Sequence, residues 1–156
     1  MFNGLLGLDW CSVTSEGLRS LESLPSVTHL DLAHTNIDSS LARTISKMPN
    51  LRRLKLTGTR IGDEFFKHWG EHSKLMQLSV DSTRITDRAV KSLADNPPPN
   101  LSILDLNPAD GITKNAANDV IRIKTLTFLA APKSFDTETR TRIQKAIPGI
   151  TIVGLY

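Results

Sequence analysis

The chain has a single cysteine in 156 residues. One thiol rules out an internal disulfide framework and fits a reducing compartment. Aromatic residues make up only 5%, so the basic residues lack the interleaved rings on which a single-strand nucleic-acid binder stacks its bases. No apolar run approaches the ~20 residues that a bilayer-crossing helix needs. The opening Met1-Phe2-Asn3-Gly4-Leu5-Leu6 lacks the basic and long apolar regions of a signal peptide. Charge of either sign is not in marked excess. Nineteen Lys and Arg against 16 Asp and Glu leave +3, which permits an acidic partner but falls short of the basic stripe of a dedicated nucleic-acid binder. Missing too are a nucleotide-binding glycine loop, an H-E-x-x-H helix, a Ser/His/Asp arrangement and a credible carboxylate pair. The expectation is therefore a soluble, cytoplasmic, non-enzymatic chain with no cofactor, no metal and no small-molecule substrate. Hydrophobic content of 39% and charged content of 22% are ordinary for a globular domain large enough to bury a core.

Internal repetition is what the chain has in abundance. Leu51-Arg52-Arg53-Leu54-Lys55-Leu56-Thr57-Gly58-Thr59-Arg60-Ile61 reads L-x-x-L-x-L-x-x-T-x-I, and versions of it start at Val27, Leu51, Leu75, Leu101 and Leu126, spaced 24, 24, 26 and 25 apart. Degenerate copies flank them, at Asn3…Leu6-Gly7-Leu8 and at Ile150-Thr151-Ile152-Val153-Gly154-Leu155. Within each copy the apolar fourth and sixth positions alternate with polar ones, the period of a short strand with one buried face. A helical stripe follows: Ile37/Leu41/Ile45/Met48, Ile61/Phe65/Trp69, Ile85/Ala89/Leu93 and Ile112/Ala116/Val120/Ile123. Thr14, Asp38, Thr86 and Thr113 precede these stripes as N-caps, with Gly62 in the same place more weakly. Pro25, Pro49 and Pro148 mark where each helix must have ended. A strand–turn–helix–turn unit of this size cannot bury its own apolar edge, so the units must stack.

On those residues the chain resembles a leucine-rich-repeat protein. The short bacterial type is the nearest flavour, through Thr59-Arg60-Ile61-Gly62-Asp63 and Thr83-Arg84-Ile85-Thr86-Asp87. The resemblance implies an α/β right-handed solenoid, with a curved parallel sheet on the concave side and helices on the convex side. It covers residues 1–156 as one domain, or as a fragment of a longer repeat protein. One departure is that Cys11, Thr35, Thr59 and Thr83 replace the family's asparagine after the strand. In copy 4 the register slips by one through Asn107-Pro108-Ala109-Asp110-Gly111, and the copy 5 helix, Asp136 to Ile147, is weakly patterned.

Candidate site residues follow from the alternation, because side chains between the leucines must all face one way. Seven strands at ~4.8 Å make a sheet ~29 Å long. About three exposed residues per strand is the lower end of one side of a standard protein interface. The partner-binding candidates are His29, Asp31, Arg53, Lys55, Gln77, Ser79, Asp81, Ile103 and Phe128, with Arg60 and Arg84 on the adjoining rim. The expected partner is a protein, of acidic character toward Arg53 and Lys55. The alternative is nucleic-acid or polyanion binding through Arg52, Arg53, Lys55, Arg60 and Arg84, against which Asp31, Asp81 and Asp105 intrude. Cys11 reads as a small, semi-buried turn residue, Trp69 as core, and Trp10 as either a rim anchor or end packing. His29, His34, His68 and His72 do not make a metal set. Open strands at both ends point to self-association through an edge or to a missing neighbouring segment.

Overall fold

The computed structural model describes residues 4–67, 72 and 74–154. Among these residues lies one parallel sheet of seven strands in sequence order: β1 (Leu5–Gly7), β2 (His29–Asp31), β3 (Arg53–Lys55), β4 (Gln77–Ser79), β5 (Ile103–Asp105), β6 (Phe128–Ala130) and β7 (Thr151–Val153). The chain is thus an α/β solenoid, with the curved sheet on one side and helical segments on the other. The first flanking copy enters in the expected register, with Leu6 opposite Leu30, but the last is shifted by one: counting from Ile150 puts Val153 at the buried fourth position, whereas Ile152 pairs with Leu129 and Val153 is 41% exposed. Leu6, Leu30, Leu54, Leu78, Leu104, Leu129 and Ile152 form one continuous column across the sheet. The ladder runs on into the second apolar position, where Leu32 N donates to Lys55 O and Leu56 N to Ser79 O. Every one of the twelve central apolar residues from Leu30 to Leu129 that the strand pattern and its following isoleucine select is at most 2% exposed.

The convex elements are shorter than the apolar stripes imply. The first copy has only a 3-10 turn, Arg19–Ser23, and the second has a 3-10 turn, Ser39–Leu41, running into the single turn of α1 (Ala42–Ile45). α2 is described over Glu64–Lys67, and the single turn of α4 (Ala117–Val120) follows a 3-10 turn at Lys114–Ala116. Among the described residues, only α3 (Asp87–Asp95) and α5 (Thr137–Ala146) extend to two turns or more. The reason is width. A helix with its side chains is about 10 Å across, whereas strands repeat at about 4.8 Å; narrow segments let the two sides stack together, and the remaining mismatch curves the sheet. α5 forms despite its weak pattern because Asp136 caps it, accepting from Thr139 N at 2.8 Å, and Thr139, Ile143 and Ile147 lie at four-residue spacing on its buried face. His68, Trp69 and Leu155 lie outside the described residues, as do Met1–Asn3.

Two hydrogen-bond series hold the coils in step. Thr35 and Thr59 hydroxyls each donate to the strand carbonyl three residues back at 2.7 Å, and Thr83 repeats the contact at 2.5 Å. These hydroxyls replace the family's asparagine by bonding within their own turn. A second series crosses between coils: Asp38 N donates to Ser15 Oγ, Gly62 N to Ser39 Oγ, Thr86 N to Asp63 Oδ1 and Thr113 N to Asp87 Oδ1, at 2.7–3.0 Å. Each helix-entry side chain therefore also satisfies the next copy's capping backbone. Cys11 breaks with its column. Thr35 and Thr59 are buried between two coils, but Cys11 stands on the first described coil and is exposed rather than semi-buried.

Candidate functional site

The solvent-facing side of the sheet consists of side chains the core does not use. One row is Leu5, His29, Arg53, Gln77, Ile103, Phe128 and Thr151, each in register with the next. A second is Gly7, Asp31, Lys55, Ser79, Asp105, Ala130 and Val153. The pleat makes these two rows share a face, opposite the leucine column. Of the candidate residues, His29, Asp31, Arg53, Lys55, Gln77, Ser79, Ile103 and Phe128 are brought together here. Leu5, His29, Leu30, Asp31, Arg53, Leu54, Lys55 and Gln77 line a shallow depression of about 170 Å³ over β1–β4. Leu5, 55% exposed, is a site residue the sequence reading missed. It belongs to the degenerate first copy, and extending the His29 column one coil back would have found it.

The exposure expected of every column fails at β4. Ser79 and Asp81 are 5% and 8% exposed, and Ala33 and Ala130 are also buried. The curvature crowds short side chains beneath longer neighbours, and Thr57 Oγ1 donates to Asp81 Oδ1 at 2.7 Å, occupying that carboxylate. Arg60 and Arg84 are exposed but do not join the face. They form isolated parallel bridges with Asp38 and Gly62, past the sheet and at the entrance to the helical segments.

The electrostatics of the two rows differ. Lys55 Nζ lies 3.3 Å from Asp31 Oδ2, and it also draws the Asp105 carboxyl downward. Asp105 nevertheless has a raised pKa, chiefly because burial disfavours its charged form, with Asp81 adding repulsion against the Asn107 N–H and Lys55. The second row therefore sets one cation, Lys55, between two carboxylates, Asp31 and Asp105, and leaves Lys55 no charge to spare. In the first row His29 is held below its usual pKa, first by burial and then by Arg53 and Arg52. Arg53 is exposed, and the described ion pairs all use other cations. Ile103 and Phe128 sit half-buried side by side two and three strands away.

Trp10 resolves as an exposed rim residue. It is 74% exposed and stacks on His34, with ring centroids 4.1 Å apart and planes 20° from parallel. Trp10, His34, Gly58 and Ser82 all adopt φ between 56° and 67°, so this repeat position is a left-handed corner. Glycine suits this corner at position 58, because a Cβ there would crowd the imidazole of His34. Among the described residues there is no grouping of His, Cys, Asp and Glu suited to a metal ion, and no helix long and apolar enough to cross a membrane.

Comparison with known proteins agrees with this architecture. The leucine-rich repeat family profile matches residues 23–40 and 47–64. No curated protein sequence matches the chain. Among solved structures, a leucine-rich-repeat protein of Leptospira interrogans superposes with a TM-score of 0.58 at 21% identity, over 86% of this chain and 33% of its own. Internalin C2 of Listeria monocytogenes gives 0.59 at 18% identity, over 96% and 70%. Actin-binding site 2 of leiomodin-1 gives 0.52 at 14% identity, over 94% and 79%. The chain thus spans about a third of the Leptospira protein's length. Five full repeats in one register, a leucine-rich-repeat family match on two of them and a shared solenoid fold show that this chain has the leucine-rich-repeat fold.

Proposed function

We propose that this chain is a protein-binding scaffold whose concave sheet face is the contact surface. The observation that carries the reading is the first row of that face. Its side chains contribute nothing to the core, yet they change in order from imidazole and guanidinium through amide to a half-buried isoleucine and phenylalanine. Interfaces combine an apolar, partly desolvated anchor with flanking polar groups in this way. Support also comes from the likeness to leiomodin-1, whose matched unit is named for actin binding; that partner is a property of leiomodin-1. Polyanion binding is the weaker reading, because Asp31 offsets Lys55, while Asp81 and Asp105 stand on the neighbouring strands.

The test is to identify partners by affinity capture and then remeasure each with Arg53→Glu and with Phe128→Ser. Lys55→Glu is a poorer probe, since it would set a third carboxylate beside Asp31 and Asp105. Binding should fall by more than about 2 kcal/mol, roughly 30-fold, while the exposed Arg53→Glu leaves stability within about 0.5 kcal/mol. A partner that binds both variants at full strength does not use this face. A steep loss of wild-type binding with added salt would favour the polyanion reading.

A further inference from the structure

Resting on the concave-face reading, we propose that the partner presents an extended segment with an acidic side chain over Arg53 and an apolar side chain four residues along it, over Phe128. The charge pattern fixes the first part. Lys55 is already engaged by Asp31 at 3.3 Å, and the imidazole of His29 is held toward its neutral form by burial and by the adjacent arginines. Arg53 is thus the cation of the row that an incoming group can still neutralise, with Arg52 next to it in the chain. It lines the depression of about 170 Å³ together with Leu5, His29 and Gln77. That volume receives a side chain. It is far too small to seat a helix about 10 Å across.

Geometry fixes the second part. Arg53, Gln77, Ile103 and Phe128 occupy successive strands β3 to β6 in unbroken register. At about 4.8 Å per strand, Arg53 and Phe128 stand about 14 Å apart, or somewhat less at the side-chain tips because the face is concave. An extended chain rises about 3.3 Å per residue and returns to the same face every second residue. Four residues therefore cover about 13 Å and leave both side chains pointing at the sheet. The residue midway falls between Gln77 and Ile103, where a small or polar side chain fits. Arg53 then forms a charge-assisted pair with the carboxylate, and the partner's apolar group covers the exposed parts of Ile103 and Phe128. The strands are three residues long, so the face is about 10 Å wide. One extended chain running across the strands occupies it.

The probe is a displayed library of random nonapeptides panned on the intact chain. The expected result is enrichment of Asp or Glu followed four residues later by Phe, Leu, Ile or Met. A synthetic peptide of that pattern should lose at least tenfold in affinity on Arg53→Glu and regain it when its acid is changed to Lys. Phe128→Ala should weaken it at least fivefold without altering the acid preference. Melting curves of the variants show that each remains folded, and Gln77→Trp, which places a bulky ring in mid-row, should block binding. Selected peptides that Gln77→Trp blocks but that show no acid–apolar spacing would overturn this inference and leave the concave scaffold standing. Peptides indifferent to all three substitutions, or no enrichment over bare support, would overturn both.

Discussion

Truncating Leu54 to alanine tests the solenoid at its middle. Leu54 is 1% exposed and sits between Leu30 and Leu78 in the leucine column. The substitution removes three carbons, worth about 2.4 kcal/mol at about 0.8 kcal/mol per buried methylene. Backbone ladders to β2 and β4 on both sides resist collapse, so most of the cavity persists and adds about 1–2 kcal/mol. The expected cost is about 3–4 kcal/mol, inside the range of about 2–5 kcal/mol for buried leucine truncations. Leu6, in the same column but half-buried and paired on one side only, should cost about half as much on Leu6→Ala. Leu54→Met, which keeps the volume, should cost less than about 1.5 kcal/mol. Urea unfolding by circular dichroism measures all three as midpoint shifts, with the Leu54→Ala melting temperature falling by about 6–15 °C. A cost below about 1 kcal/mol at Leu54, or an equal cost at Leu6, would refute the idea that neighbouring coils hold the column rigid. A changed urea slope would show instead that the coils unfold separately.

Other consequences can be checked in the same way. Asp63→Ala removes the acceptor of two bonds from Thr86, at 2.8 and 2.7 Å, and should cost about 1–3 kcal/mol; unchanged exchange protection of the Thr86 amide would show that the inter-coil capping series is inert. His72 is buried and its pKa is lowered from 6.5 to about 4 by that burial. Because the folded pKa lies below the unfolded one, the unfolded state gains the proton first. Its contribution is intact above about pH 6.5 and is lost as pH falls toward 4, by about 3 kcal/mol in all. The stability difference between the wild type and His72→Leu, followed by urea unfolding across that window, should carry this slope; a flat difference would mean the imidazole is wet.

How far the sequence alone reaches is clearest residue by residue. The copies at Val27, Leu51, Leu75, Leu101 and Leu126 determine the number of coils, the strand register and the buried set, because a period of two inside a period near 24 has one packing solution. The capping residues Asp38, Thr86 and Thr113 were legible for the same reason: their donors lie two residues away in the chain. The faces of the central strands followed too, so the first row from His29 to Phe128 is legible in the sequence, though Leu5 and Thr151 in the degenerate copies are not.

Tertiary structure decided what depends on neighbours in space. Pattern alone made Lys55 and Arg53 equivalent; the 3.3 Å approach of Asp31, 24 residues away, separates them. Asp81 and Ser79 alternate correctly yet are buried, because curvature, which no single copy encodes, closes over short side chains. Arg60 and Arg84, expected on the rim, stand beyond the sheet, because the chain turns through the left-handed corner at Gly58 and Ser82 before reaching them. Cys11 shares a column with buried threonines but stands on the first described coil and is exposed there. Local periodicity specifies which way a side chain points; how much solvent and which counter-charge it meets are set by coils packed against it, and those are known only once the stack exists.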